Sequence, residues 1–143
     1  MSYTRIWIHT VFVTKNRASF LTKEMKSKTI SHIQENAKKK EIYIDTINGD
    51  KEHLHCLLSL SAEQSVAKVI QLIKGEVSNW INKTNQTKTK FGWSDEYFAV
   101  SVSESQINAV RNYIRTQEEH HRNKSFSEEY YEFMKKYGFT NLG

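Results

Sequence analysis

The sequence predicts an α+β fold in which a four-stranded antiparallel sheet carries two helices on one face. Three observations predict it. Runs rich in β-branched and aromatic residues alternate with stretches whose apolar residues step by three and four, in the order β-α-β-β-α-β. The third strand offers one wholly apolar face, suited to lying beneath helices. The 143 residues leave room for one domain, 1–143, against a prior of roughly 150 residues per domain.

Residues 5–13 (RIWIHTVFV) read as the first strand. Residues 22–40 follow with Met25, Ile33 and Ala37 at helical spacing; lysines crowd the end, where they oppose the partial negative charge of a helix C-terminus. Residues 41–48 (EIYIDTIN) form the second strand, and Asn48-Gly49-Asp50 predicts the turn into a third strand at 52–60 (EHLHCLLSL). Over 65–83, Val66, Val69, Ile70, Ile73, Val77, Trp80 and Ile81 draw a single apolar stripe, with Ser65 placed to cap the start. The stretch 82–92 (NKTNQTKTKFG) is polar, has lysines and no acid, and reads as a loop. A fourth strand at 96–102 leads into a helix over 105–122. A short final helix at 127–137 places Tyr130, Met134 and Tyr137 on one face. This order is the split β-α-β-β-α-β pattern of a ferredoxin-like (RRM-like) sheet, extended by two C-terminal helices, and in that pattern the second face of the sheet stays open.

Composition excludes several classes. No proline, five glycines and one cysteine rule out a collagen-like chain, a Pro-rich linker and a disulfide scaffold. The lone Cys56, with no signal sequence, fits a reducing cytoplasm. Nowhere do about 18 apolar residues occur in sequence, so no membrane span is expected. A net charge of +5 with 12% aromatics suits a nucleic-acid partner, and equally a plain basic domain.

Strand parity shows where chemistry could sit. Leu54, Cys56, Leu58 and Leu60 fall on one face of the third strand; His53, His55, Leu57 and Ser59 fall on the other. The first strand divides the same way, with Ile6, Ile8 and Phe12 opposite Arg5, Trp7 and His9. Same-face neighbours lie roughly 6.5–7 Å apart along a strand, so His53 and His55 can converge on one metal ion. Imidazole suits zinc and other transition metals, and mixed N/O sets also accept manganese or magnesium. The same pair also fits an unusually decorated, inert surface. On the helix at 105–122, Ile107, Val110 and Ile114 make an apolar face that Tyr113 and Gln117 border. These two are either presented to whatever the helix docks on or are a core tyrosine with its hydrogen-bonding amide. His120 and His121 read as cations near a helix C-terminus.

Several segments in order carry a resemblance: WIHTVFVTKNR at 7–17, HLH at 53–55, IKGEVS at 73–78, WSDEYFAVSVS at 93–103 and YIRTQEEHH at 113–121. Together they resemble the single-tyrosine HUH transposases of small bacterial insertion sequences, REP-associated tyrosine transposases included, where U is a bulky apolar residue. The resemblance implies that His53, His55 and Gln117 bind a divalent metal, Mg²⁺ or Mn²⁺. It implies that Tyr113 attacks a single-stranded DNA phosphodiester, leaving a 5′-phosphotyrosine and a free 3′-hydroxyl. It further implies a homodimer that recognises DNA hairpins in the bacterial cytoplasm, and in some members the tyrosine helix serves the partner's metal site. The added domains of larger relaxases are not expected here. Cationic and aromatic side chains suited to a DNA backbone and its bases are Arg5, Trp7, Lys74, Lys83, Lys88, Lys90 and Arg111. Two other functions share the fold: a non-catalytic module that binds single-stranded nucleic acid, and a metal-dependent phosphoesterase in which Tyr113 is only structural.

Overall fold

A computed structural model describes residues 3–119 and 124–136. The strands are β1 (Ile6–Thr14), β2 (Tyr43–Asp50), β3 (His53–Leu60) and β4 (Trp93–Val102). The helices are α1 (Lys23–Lys39), α2 (Val66–Lys83), α3 (Ile107–Arg115) and α4 (Phe126–Lys136), with single 3₁₀ turns at Lys15–Arg17 and Glu104–Gln106. All pairings are antiparallel, and the sheet order is β2-β3-β1-β4. That order is consistent with the ferredoxin-like expectation.

Local chemistry fixes the helix starts. Thr22 accepts from the Met25 amide at 3.3 Å, Ser65 from the Lys68 amide at 3.1 Å, and Ser125 from the Glu128 amide at 3.2 Å. Each satisfies one of the amides that a helix N-terminus leaves without an intrahelical partner. The stripe on α2 (Val69, Ile70, Ile73, Val77, Ile81) and Met25, Ile33 and Ala37 of α1 pack on the apolar face of the sheet, where Phe12, Leu54, Cys56 and Leu58 are fully or almost fully buried. Strand parity therefore placed the main core correctly.

Four details depart from the sequence expectation. The strand β2 runs through Asn48-Gly49-Asp50, and the turn is Lys51-Glu52. Gly49 serves close approach instead of turning: a Cβ there would sit 2.1 Å from the His53 carbonyl oxygen. The strand β4 begins at Trp93, earlier than expected, because a register shift between Phe12 and Thr14 lets Trp93 pair with Thr14 and pack edge-on to Phe12 and Phe91. The helix expected over 105–122 stops at Arg115. Thr116 turns its hydroxyl back to the Asn112 carbonyl at 2.9 Å, and helical backbone resumes over 117–119. His120, His121 and Tyr137 lie outside the described residues.

The fourth departure matters most. The second face of the sheet is not open: α3 and α4 lie over it. Leu57, Ile107 and Ile114 form a second buried cluster there, flanked by Trp7, Val102, Val110 and Tyr113. His53 is 0% exposed and His55 2%. The apolar stripe of α3 marks a docking face in the sequence, and its partner is the sheet face expected to stay open.

Candidate functional site

Register brings the imidazoles together. His53 pairs with Val13 and Asp50, and His55 with Val11 and Asn48, so both rings rise from the centre of the sheet, their centroids 5.1 Å apart. Each ring has one nitrogen fastened outward. Nδ1 of His53 is 3.0 Å from Glu52 Oε1, and Nδ1 of His55 is 2.9 Å from His9 Nε2. The Nε2 atoms face inward. Nε2 of His53 lies 3.2 Å from Gln117 Oε1 and 4.0 Å from Glu129 Oε2; Nε2 of His55 lies 3.2 Å from Glu129 Oε1. Ligand atoms of His53, His55 and Glu129 all fall within 4.8 Å of one another.

The surroundings set the charges. Burial, helped by neighbouring His55, lowers His9 to about 3, so it is neutral at physiological pH. A neutral His9 can accept from His55 Nδ1–H, which fixes the His55 ring with its Nε2 toward the cluster. Burial pushes the Glu129 carboxyl up, but the hydrogen bond and charge of His55, with Tyr113 and His53, outweigh it and bring Glu129 down to about 2. The Tyr113 hydroxyl donates to Glu129 Oε1, and its ring meets His55 and His9 edge-on at 5.5 and 6.1 Å. Burial first, then the Glu129 carboxylate, pushes the phenol above its ordinary value, so it is neutral here.

Three contacts fasten the tyrosine helix to its own chain. At the register shift between Ile44 and Thr46 in β2, Asp45 is the unpaired residue. A bulge of this kind re-aims a side chain and shifts the alternation beyond it by one residue, so Thr46 and Asn48 fall on the face of Leu57 and His55. Asp45 takes a bidentate pair from Arg111 Nε and Nη2, both at 2.8 Å, which holds its carboxyl below the usual carboxylate range. On the same face, Asn48 donates to the Arg115 carbonyl at 3.1 Å. From α1, the buried Lys26 ammonium bonds the Gly49 carbonyl at 3.0 Å and the Glu118 carboxylate. The helix α4 closes the other side: Phe126 stacks on the His53 ring at 4.2 Å, while Arg17 lies over Phe126 and Tyr130 and donates to Ser127 Oγ.

Tyr113, His53, His55 and Gln117 thus lie in one cluster within a single chain. Sequence reasoning missed Glu129, Phe126 and the orienting Glu52. A signal for Glu129 existed. With Phe126 and Tyr130 it stands at i+3 and i+4 spacing, which puts an acid on the buried face of α4.

Two imidazole nitrogens, a carboxylate and an amide oxygen form a donor set suited to a divalent cation of intermediate hardness, and the outward Nδ1 contacts match the way metal-binding histidines are oriented. The residues therefore fit a metal, which His53, His55 and Glu129 would hold with Gln117 alongside.

The cationic candidates separate into two groups. Arg5 and Trp7 both donate to Glu104, at 2.8 and 2.7 Å; Lys74 donates to the Ser94 carbonyl at 2.8 Å and faces Tyr97; Arg111 holds Asp45. Lys83, Lys88 and Lys90 are exposed at the end of α2 and in the loop before β4. No described helix is long and apolar enough to cross a membrane.

Comparison with known proteins adds a family. The IS200-like transposase family model matches residues 2–117. Among solved structures, the fold is similar to a candidate transposase from Deinococcus radiodurans R1 (TM-score 0.66, 17% identity, covering 81% of this chain and 93% of that one). It is also similar to a REP-associated tyrosine transposase bound to a REP hairpin (TM-score 0.60, 17% identity, covering 85% and 72%). No match was found among curated protein sequences.

Proposed function

The chain belongs to the IS200-like transposase family, and from that premise we propose that it cuts and rejoins single-stranded DNA through a covalent bond at Tyr113. The observation that carries the proposal is the meeting, inside one chain, of the Tyr113 phenol with the His53–His55 pair through Glu129.

In the reaction the phenolic oxygen attacks the scissile phosphorus. The bond from phosphorus to the 3′-oxygen of the departing strand breaks; the phenol gives up its proton and the 3′-oxygen takes one up, so it leaves as a hydroxyl while the 5′-phosphate stays on Tyr113. Because the phosphodiester energy is kept in the phosphotyrosine, a later 3′-hydroxyl can attack it and rejoin strands without another energy source. A free phenol titrates near pH 10, and burial beside Glu129 raises Tyr113 further, so the resting site holds its nucleophile protonated. A divalent cation, Mg²⁺ or Mn²⁺, would polarise the phosphate and offset the negative charge that builds on it. His53, His55 and Glu129 would hold that cation with Gln117, while Glu52 and His9 fix the two rings and Asp45 fixes the helix that bears the phenol.

The substrate proposed is a single strand bearing a hairpin, as the REP-associated relative is bound to one. Lys83, Lys88 and Lys90 are proposed to meet its backbone directly. Arg5, Trp7, Lys74 and Arg111 would each have to exchange an internal partner for DNA. A single transposase domain, acting as a homodimer in the bacterial cytoplasm, completes the reading.

The test is incubation with hairpin-bearing single strands of randomised sequence and Mn²⁺, followed by a denaturing gel. A protein–DNA adduct that disappears in Tyr113→Phe supports the proposal. Cleavage to water-terminated ends that survives the substitution points to a phosphoesterase. Retention of DNA with no cleavage points to a binding module, although α3 and α4 cover the sheet face on which such a module would stack bases.

A further inference from the structure

A cavity of about 670 Å³ opens beside the Tyr113 ring, between the end of β4, the first turns of α3 and one side of α4. Its size falls within the roughly 300–1,000 Å³ typical of small-ligand sites. Since Tyr113 is part of its wall, whatever enters lies next to the proposed nucleophile.

The walls differ in chemistry. Ala109 and Val110 give an apolar surface, Gln106 and Ser101 give neutral polar groups at the rim, and Glu129 and Glu132 face them from α4. Lys136 lies on the same wall, so with Glu129 committed to a cation, Glu132 and Lys136 cancel. Such a wall offers a phosphodiester no net positive charge of its own. A nucleobase suits it better: its faces are flat and apolar, and its edge carries N–H groups that carboxylate and amide oxygens accept. Among the described residues, the Gln106 side chain bonds no other group, although it stands at the mouth of the cavity just before α3 begins.

We propose that this cavity receives the base of a nucleotide flanking the scissile phosphate, and that it selects bases bearing an exocyclic amino group over thymine. The inference rests on Tyr113 being the nucleophile. It assigns Gln106 and the α4 carboxylate Glu132 to sequence preference at the point of cleavage, apart from any hairpin recognition elsewhere.

The test uses the full chain, Mn²⁺ and a pool of single-stranded DNA randomised around a hairpin. Adducts are isolated, and the bases on both sides of each cut are sequenced. The expected result is depletion of thymine at one flanking position by about tenfold, the scale of one hydrogen bond to a charged group. In Gln106→Ala that depletion should shrink severalfold among the adducts that form. Ala109→Trp, which fills the cavity without removing a polar group, should abolish the bias and slow cleavage while Mn²⁺ binding stays intact. Adducts formed without bias at either flanking position, or with a bias that both variants leave unchanged, overturn this inference alone. No adduct on any sequence overturns the reading of Tyr113 and this inference with it.

Discussion

Gly49→Ala offers the sharpest test of how the sheet positions the chemistry. Gly49 pairs with Leu54, and an added Cβ would lie 2.1 Å from the His53 carbonyl oxygen and 2.8 Å from the Leu54 Cα. Real Cβ contacts essentially never fall under 3.0 Å, so the two strands must part by 3.0 − 2.1 = 0.9 Å, and the opposing atoms are backbone that cannot rotate aside. His53 moves with that backbone. Its Nε2 is 3.2 Å from Gln117 Oε1, so a shift approaching one ångström breaks the contact or drags the ring from its partners. A misplacement of about 1 Å costs on the order of 10²-fold in rate, and forced overpacking costs about 1–3 kcal/mol of stability. Adduct formation and urea unfolding of the variant should show both losses. Gly75→Ala is the control: it lies within α2, a Cβ there meets nothing within 4 Å, and it should stabilise the chain by about 0.5–1 kcal/mol. If Gly49→Ala matched the parent in rate and in unfolding midpoint, the close approach that places His53 would be wrong.

Three further outcomes follow from the same geometry. Tyr113→Phe should abolish the adduct and cost about 1 kcal/mol in urea unfolding, because it removes the donor that a buried Glu129 oxygen accepts. His55→Ala should remove high-affinity Mn²⁺ binding, read by calorimetry, while far-ultraviolet circular dichroism stays unchanged; loss of the fold instead would make the histidine structural. Asp45→Asn should destabilise at neutral pH and less so in acid. Arg111, with Thr46 and Arg115, holds the folded carboxyl below its ordinary value, so its contribution is present above about pH 3.9, the unfolded value, and is lost as pH falls through the depressed folded one. Unfolding midpoints of parent and variant should converge near the acid limit; an undiminished gap there would remove the ionic account of the contact.

Much of this was legible in single residues, and the rest was hidden for physical reasons. A period of two on β3 separated Leu54, Cys56 and Leu58 from His53 and His55, and the structure keeps that division. Parity works because a strand has only two faces. It could not show that Asp45 breaks the alternation of β2, since a bulge leaves no mark in composition. Asn48-Gly49 carried a turn signal, yet glycine serves a turn and a close approach equally well, and only the register tells which. Glu129 was the larger loss. It lies 74 residues beyond His55, outside the stretch that matches the family, in a segment where acids look like ordinary solvated charge. What made it part of the site is the docking of α4, which no local pattern specifies.

That docking gives Glu129 two opposed effects, which one substitution separates. At a value near 2 the carboxylate is ionised under physiological conditions, and it sits against the phenol that must meet a phosphate. A scissile phosphate brings a second negative charge to the same few ångströms, and in a buried site two such charges repel strongly. Without a cation, Glu129 therefore opposes DNA; with one, it is an anionic donor that strengthens cation binding. Glu129→Gln keeps the size and removes the charge. It should weaken Mn²⁺ binding by on the order of tenfold or more, as loss of a coordinating-sphere partner does. In a chelator it should strengthen retention of single-stranded DNA. A carboxylate that served only to fasten α4 would shift neither affinity selectively, and a variant that lost both together would show that helix docking, not charge, is what Glu129 supplies.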